Sequence, residues 1–205
     1  MMEPRRRVVL TGAGGQIGQA IVPLLPADWD VLCTDLEARK DVAALDVTDP
    51  DACHRFFTGA DAVVHLAAVP DPAASWERLL PANVVGAYQV AEAAANCGVR
   101  RLVLASSLHA VSAVPAQTQV RTDDAPRPAN LYGATKAWAE ALGAWVAATT
   151  ATSVVALRIG YFAVRQTPPS WYARPWRPTA SRSSWLTASP LTATAVRTSR
   201  TRCSN

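Results

Sequence analysis

No apolar run in this chain approaches the roughly 18 residues of a membrane-spanning helix, so no membrane span is expected. Cysteine is sparse: Cys33, Cys53, Cys97 and Cys203 lie far apart, without a C-x-x-C pair and without metal-like grouping with His54, His65 or His109. Neither a disulfide framework nor a metal site is expected, and reduced thiols fit a cytoplasmic protein. No export signal is expected either. Arg5-Arg6-Arg7 precedes Val8-Val9-Leu10, but the run stops at Thr11-Gly12, short of the roughly 7–15 apolar residues such a signal needs. The widest gap is at the end: the last 41 residues contain no Gly, Asp, Glu or Lys.

That gap explains the charge. The 205 residues carry a formal net charge of +4, which alone would point to nucleic acid or an anionic surface. Residues 1–164 hold 13 Lys and Arg against 16 Asp and Glu, a net of −3. Residues 165–205 hold seven Arg, a net of +7. A mildly acidic body carries a basic tail. The chain is 50% hydrophobic, enough to bury a core and too apolar for a disordered protein. The tail combines 14 Ser and Thr with five Pro and Trp171, Trp176 and Trp185, and neither helix nor strand periodicity persists in it. Solvated linkers rarely hold so many large aromatics. The chain uses 18 Arg and 2 Lys, a mark of GC-rich codons, and the tail is expected to come from a reading frame shifted near residue 165. Arginines gripping phosphate and tryptophans stacking on bases would be the nucleic-acid alternative; no nucleic-acid or membrane partner is expected.

Up to about residue 161, short apolar runs alternate with helical patterns. Segments 8–11, 30–34, 62–67, 101–105 and 153–159 read as strands, with 43–47 a weaker one. Several are apolar throughout, as in parallel strands covered on both faces. Helices are expected over 16–25, 50–57, 76–96 and 132–148. Asp49-Pro50 supplies an N-cap and a first-turn proline, and Gly98 a helix-ending glycine. This βαβα order implies a doubly wound parallel α/β sheet, a Rossmann fold, over 1–164. The irregular tail 165–205 stands where a further crossover and a substrate-binding part would follow.

Thr11-Gly12-Ala13-Gly14-Gly15-Gln16-Ile17-Gly18 follows the first strand and opens the first helix. In that context Gly12, Gly15 and Gly18 allow a sharp turn, and backbone N–H groups of this loop, including Gln16 and Ile17, can face a pyrophosphate. Asp35 ends the second strand 17 residues after Gly18, where a carboxylate can accept from both ribose hydroxyls and would repel a 2′-phosphate. NAD is therefore expected rather than NADP, with Arg39 the residue that could weaken the preference.

Tyr132 and Lys136 are i and i+4 on one helix and project from one face. An ammonium beside a phenol lowers its pKa and lets it act as a general base. Ser106 and Ser107 stand at the carboxyl end of a central strand, the side on which α/β sheets bind ligands. His65 reads as a satisfied core histidine. His109, beside the serines, is a candidate for substrate contact.

Together these motifs resemble short-chain dehydrogenases/reductases of the extended, NAD-dependent epimerase/dehydratase type. TGAGGQIG at 11–18, Asp35, LDV at 45–47, HLAA at 65–68, Asn83, ASS at 105–107, YGATK at 132–136 and LRIG at 157–160 carry the resemblance. It implies that Asp46 and Val47 sit at the adenine and that Leu66, Ala67 and Ala68 line the ribose and nicotinamide path. It further implies that Asn83 lies near the active site, that Ile159 borders the cofactor, and that Lys136 holds the nicotinamide ribose. Ser107 matches the family's catalytic hydroxyl. Tyr132 would take a proton from a sugar hydroxyl as hydride passes to NAD. SSLHAVS at 106–112 and RPANLYGATK at 127–136 are similar to uronate dehydrogenases, whose Ser-Asn-His triplet reads Ser107-Leu108-His109 here. Tyr161 also departs from that group. The expected substrate is therefore a sugar or sugar acid.

The resemblance also implies a homodimer through the 76–96 and 132–148 helices, where Trp138, Leu142 and Trp145 form an apolar stripe; packing within the subunit is the alternative. Two other functions compete with a dehydrogenase: a sugar-nucleotide epimerase or dehydratase that recycles its NAD, and a catalytically impaired NAD-binding relative.

Overall fold

The computed structural model describes residues 6–114, 119–160, 162 and 193–198. Seven strands form one sheet: β1 Arg7–Thr11, β2 Asp30–Asp35, β3 Ala43–Ala44, β4 Ala62–His65, β5 Arg101–Ser107, β6 Ser153–Ile159 and β7 Ala193–Thr198. Their order is β3-β2-β1-β4-β5-β6-β7, and all neighbours pair in parallel except β6 with β7. The chain works outward from β1 through β2 to β3, then returns to the other side of β1 for β4. The carboxyl ends of β1 and β4, where Thr11 pairs with His65, therefore form a topological switch point, where open α/β sheets take ligands.

The apolar runs behave as doubly covered strands should: Val8, Val9 and Leu10 of β1 are all buried. One face of the sheet holds the larger core, in which Val9, Val63 and Leu102 pack with Phe57, Val90 and Val146. These last three come from α2 Pro50–Phe57, α4 Ala87–Asn96 and α5 Leu131–Thr149. The opposite face carries a smaller cluster of Leu10, Ala13 and Cys33 beneath Ile21 and Val22.

Local chemistry sets the helix ends. Asp49 caps α2 by accepting from Ala52 N at 3.0 Å, and Pro50 occupies the first turn. Gly98, at φ +69°, closes α4, and Val99 N returns to Ala94 O at 2.9 Å. The helix expected over 16–25 is shorter. As α1 it spans Gln16–Ile21 and tightens to a 3₁₀ turn at Val22–Leu24, because Pro23 has no N–H to continue the ladder. The helix expected over 76–96 also changes character. It begins as α3 Trp76–Leu79 and widens into a π-helical segment Leu80–Gly86, with Pro81 inside, before α4. Strand β4 stops at His65 rather than residue 67, whereas β5 runs past residue 105 because Ser106 and Ser107 pair with Arg158 and Ile159. Within 165–205, where no strand is expected, Ala193–Thr198 forms β7 along β6. Tyr161 and the three tail tryptophans lie outside the described residues.

One ion pair crosses these elements. Arg158 on β6 meets Glu140 on α5 with both faces of the fork, Nε to Oε1 at 2.8 Å and Nη2 to Oε2 at 2.7 Å. Ser106 on β5 donates to the same carboxylate. Arg158 Nη2 also donates to the Asp124 carbonyl at 2.9 Å, and Nη1 to that of Arg121 at 3.4 Å. Both side chains of the pair are sealed from water, at 2% and 7% exposure. Removing one partner from such a pair strands a buried charge, at a cost of about 3–5 kcal/mol. Glu140→Ala is therefore expected to lower unfolding free energy in urea by about that amount. Arg100→Ala, which opens the exposed Asp61 pair at 2.7 Å, should cost under about 1 kcal/mol. Equal losses for the two variants would contradict this account.

Candidate active site

The glycine loop sits at the switch point. Gly12 turns the chain at φ +73°, and a Cβ there would come within 2.5 Å of Ala67 N, so only glycine lets the loop lie against the strand-end segment 66–68. Leu66 N donates to Thr11 O at 3.0 Å and Gly15 N to Gly12 O at 3.1 Å. Gly18 packs α1 against Ala13. Gly15 and Gln16 are exposed, and Ile17 is half-buried. As first-turn residues, Gln16 and Ile17 carry N–H groups that α1 itself cannot satisfy. A dinucleotide fits these residues: Gly12, Gly14 and Gly15 carry no side chain to block a pyrophosphate, and the N-terminus of α1 offers N–H groups that the helix leaves unpaired.

The other expected cofactor residues divide. Asp35 stands at the end of β2, with Oδ2 accepting from Gly14 N and Oδ1 from Leu36 N, both at 2.7 Å. The Arg39 guanidinium lies over Gly14 on the same side. Asp46 is exposed and accepts from Thr48 N at 2.9 Å, while the Val47 side chain turns inward and packs against Gly86. Val47 O accepts from Cys53 Sγ at 3.5 Å. Asn83, 3% exposed, is committed to the protein. Its Oδ1 accepts from Val69 N at 2.8 Å and its Nδ2 donates to Thr135 Oγ1 at 3.2 Å, tying the segment after β4 to α5. Ile159 is half-buried opposite Ser107 on β6.

Ser107, Tyr132 and Lys136 come together. Ser107 caps a 3₁₀ turn, Leu108–Val111, by accepting from His109 N at 3.1 Å. Tyr132 and Lys136 occupy the buried face of the first turns of α5, and Lys136 Nζ is 5.7 Å from the centre of the tyrosine ring. Nζ donates to Ala105 O, two residues before Ser107, at 2.9 Å. His109 meets Tyr132 edge to face, with centroids 5.6 Å apart. Gly133 makes this possible, since a Cβ there would collide with the His109 carbonyl.

A profile described as the NAD dependent epimerase/dehydratase family matches residues 8–164. The chain belongs to this family. It is 38% identical over 169 residues to an L-arabinose 1-dehydrogenase (NAD(P)(+)) of Haloferax volcanii, covering 76% of this chain and 66% of the relative. It is also 38% identical over 192 residues to an NAD-dependent glucose-6-phosphate dehydrogenase of the same organism, covering 82% and 72%. Among solved structures, a uronate dehydrogenase from Agrobacterium tumefaciens complexed with NAD superposes with a TM-score of 0.67 at 27% identity, covering 74% of this chain and 59% of that one. The chain thus spans about two thirds of the curated relatives' length, and the Rossmann fold and NAD dependence of the family agree with the expectations drawn from the motifs.

Electrostatics corrects one expectation. Lys136 was to pull the Tyr132 phenol down; instead burial pushes it above the ordinary tyrosine value, with only the Ser107 hydroxyl opposing. The physical reason is that the phenol is itself buried, which disfavours its charged form; burial also lowers Lys136, to about 8, and Nζ donates to Ala105 O at 2.9 Å. Three further residues that the motifs left without roles adjoin these groups: Asn130 contacts His109, and the Glu140–Arg158 pair holds Ser106, next to Ser107. Glu140 follows Lys136 at i+4 and Asn130 precedes the α5 apolar run as a cap, and both spacings are legible in the sequence. Among the described residues, no three His, Cys, Asp or Glu side chains group as metal ligands.

His65 behaves as a core residue. Its Nδ1 lies 2.8 Å from Thr11 Oγ1 at the switch point, and burial first, then Lys136, lowers its pKa from 6.5 to about 3. Between those values the unfolded chain binds the proton and the folded chain does not, so stability falls as pH drops from about 6.5 toward 3. The slope from this group is at most about 1.4 kcal/mol per pH unit. In urea titrations at pH 7 and pH 5, His65→Gln should lose less stability on acidification than the parent chain. An identical acid loss in both would show that His65 protonates freely in the fold.

Proposed function

We propose that this chain is an NAD-dependent oxidoreductase that removes a hydride from a hydroxyl-bearing carbon of a sugar or sugar acid. The observation that carries the reading is the convergence of Ser107, Tyr132 and Lys136 on the same side of the sheet as a glycine-rich loop at the switch point. In this reading Gly12, Gly15, Gln16, Ile17 and Gly18 cradle the pyrophosphate and Asp35 meets the adenine ribose. Asp46 and the Val47 backbone border the adenine, while Leu66, Ala67, Ala68 and Ile159 wall the path to the nicotinamide. When bound, NAD supplies the hydride acceptor and a positively charged ring.

The chain's own groups handle the proton. Tyr132 Oη takes it from the substrate hydroxyl, and the Ser107 hydroxyl holds the substrate oxygen as its C–H bond breaks and a carbonyl forms. Lys136, anchored by Ala105 O, orients the ribose and balances the phenolate. A phenol raised by burial needs such positive neighbours to ionise, so the base becomes competent only in the assembled complex. His109 faces the substrate from the turn after Ser107. The names of relatives and solved structures make L-arabinose, glucose 6-phosphate and a uronate such as glucuronic acid the first compounds to assay.

The same reading assigns the catalytic domain to 1–164, with 165–205 as a tail, and places the protein in the cytoplasm, where Cys33, Cys53 and Cys97 stay unpaired as found here. A homodimer would cover the apolar groups that the helices over 76–96 and 131–149 leave exposed: Trp76, Tyr88, Trp138 and Trp145. Tyr132→Phe should lower kcat at least about 1,000-fold, in line with loss of a general base whose role is shared with Ser107 and Lys136. NAD affinity, read by calorimetry, should stay within about twofold, since the hydroxyl is a minor part of the cofactor contact. A Tyr132→Phe enzyme that still forms NADH at the parental rate would remove Tyr132 from the mechanism.

A further inference from the structure

We infer that Asn130 is a positioning residue that fixes the tautomer of His109, and through it the kind of substrate atom the site selects: an acceptor oxygen, such as that of a carboxylate or carbonyl. This rests on the reading that His109 faces the substrate. Asn130 has extended backbone, φ −148° and ψ 166°, and caps α5 by accepting from Gly133 N at 2.8 Å. A backbone N–H in the first turn can only donate, so the atom facing Gly133 must be the amide oxygen Oδ1. The amide has one other end. Its Nδ2 lies 3.0 Å from His109 Nδ1. An amide nitrogen can only donate, so Nδ1 must offer its lone pair and the proton of the neutral ring belongs on Nε2.

The main chain of His109 is held on both sides of this contact. Its backbone N–H is held by Ser107 Oγ at 3.1 Å, its carbonyl accepts from Ser112 Oγ at 3.0 Å and presses against Gly133, and its ring stands at 71° to that of Tyr132. The cap that starts the catalytic helix thus also sets the hydrogen-bonding sense of the histidine beside it. Nε2–H donates, which favours a substrate presenting a lone pair there and disfavours one presenting only a donor.

Asn130→Asp separates this role from helix capping. Asp caps a helix as well as Asn does, so α5 should persist, but a carboxylate only accepts and forces a proton onto Nδ1. Nitrogen-15 NMR of the full chain at neutral pH, with the His109 signals identified by their loss in His109→Gln, reads the tautomer directly. The parent should show an unprotonated Nδ1 and a protonated Nε2, and Asn130→Asp a protonated Nδ1 with unchanged helix content and melting temperature. A parental His109 protonated on Nδ1 overturns the inference. In assays with L-arabinose and D-glucuronate, Asn130→Asp should raise the sugar KM about tenfold, the worth of one good hydrogen bond, and leave the KM for NAD within about twofold. If the tautomer flips and KM does not move while His109→Gln raises it, the selection half of the inference is wrong. If His109→Gln also leaves KM unchanged, it is the substrate-facing reading of His109 that fails.

Discussion

The buried fork between Arg158 and Glu140 is the contact on which the catalytic half of this molecule depends. Two charges at 2% and 7% exposure are tolerable only when every donor and acceptor around them is answered. Here they are answered by Ser106 and by the carbonyls of Arg121 and Asp124. Each answer recruits a different part of the chain: β5 through Ser106, α5 through Glu140, β6 through Arg158, and the segment leading into α5 through the two carbonyls. The neighbours of these anchors are the groups proposed to react. Ser107 follows Ser106, Lys136 lies one helical turn before Glu140, and the anchored segment ends in Asn130. A pair that contributes little net stability by itself therefore specifies where three elements stop relative to one another.

Around this anchor, the site is assembled by close approach. Gly12 lets the loop touch the segment after β4, and Gly133 lets the Leu108–Val111 turn touch α5. Asn83 ties the segment after β4 to α5 through Val69 and Thr135, and His65 ties β4 to β1 through Thr11. The cofactor loop and the catalytic helix are thus linked by hydrogen bonds between buried groups, which favours a pre-formed geometry over one created on binding.

Much of this was legible beforehand. The parallel strands announced themselves as unbroken apolar runs, and 50–57 and 153–159 read correctly to the residue because Asp49-Pro50 and a β-branched run leave no ambiguity. The glycine loop, Asp35 and the Tyr132–Lys136 spacing pointed to an NAD enzyme before any geometry was known. Illegible features depended on tertiary context. No periodicity marks the π-helical stretch at Leu80–Gly86, and a glutamate or arginine in a motif does not advertise that its partner is 18 residues away and buried. The phenol's raised pKa is illegible for the same reason: spacing shows that Lys136 is near Tyr132, but not that both are desolvated. Charge taken over the whole chain pointed toward polyanions, and its division at residue 164 removed that direction.

The central claim is that the site passes a hydride out of the sugar and onto a cofactor that then leaves. Absorbance of NADH, followed with catalytic amounts of the full chain, excess NAD and either L-arabinose or D-glucuronate, tests it most directly. The account predicts one NADH for each sugar oxidised, continuing through many turnovers. NADH that stops at one equivalent per chain or never forms, while the sugar is nonetheless isomerised or dehydrated, would contradict it and make the cofactor a recycled participant.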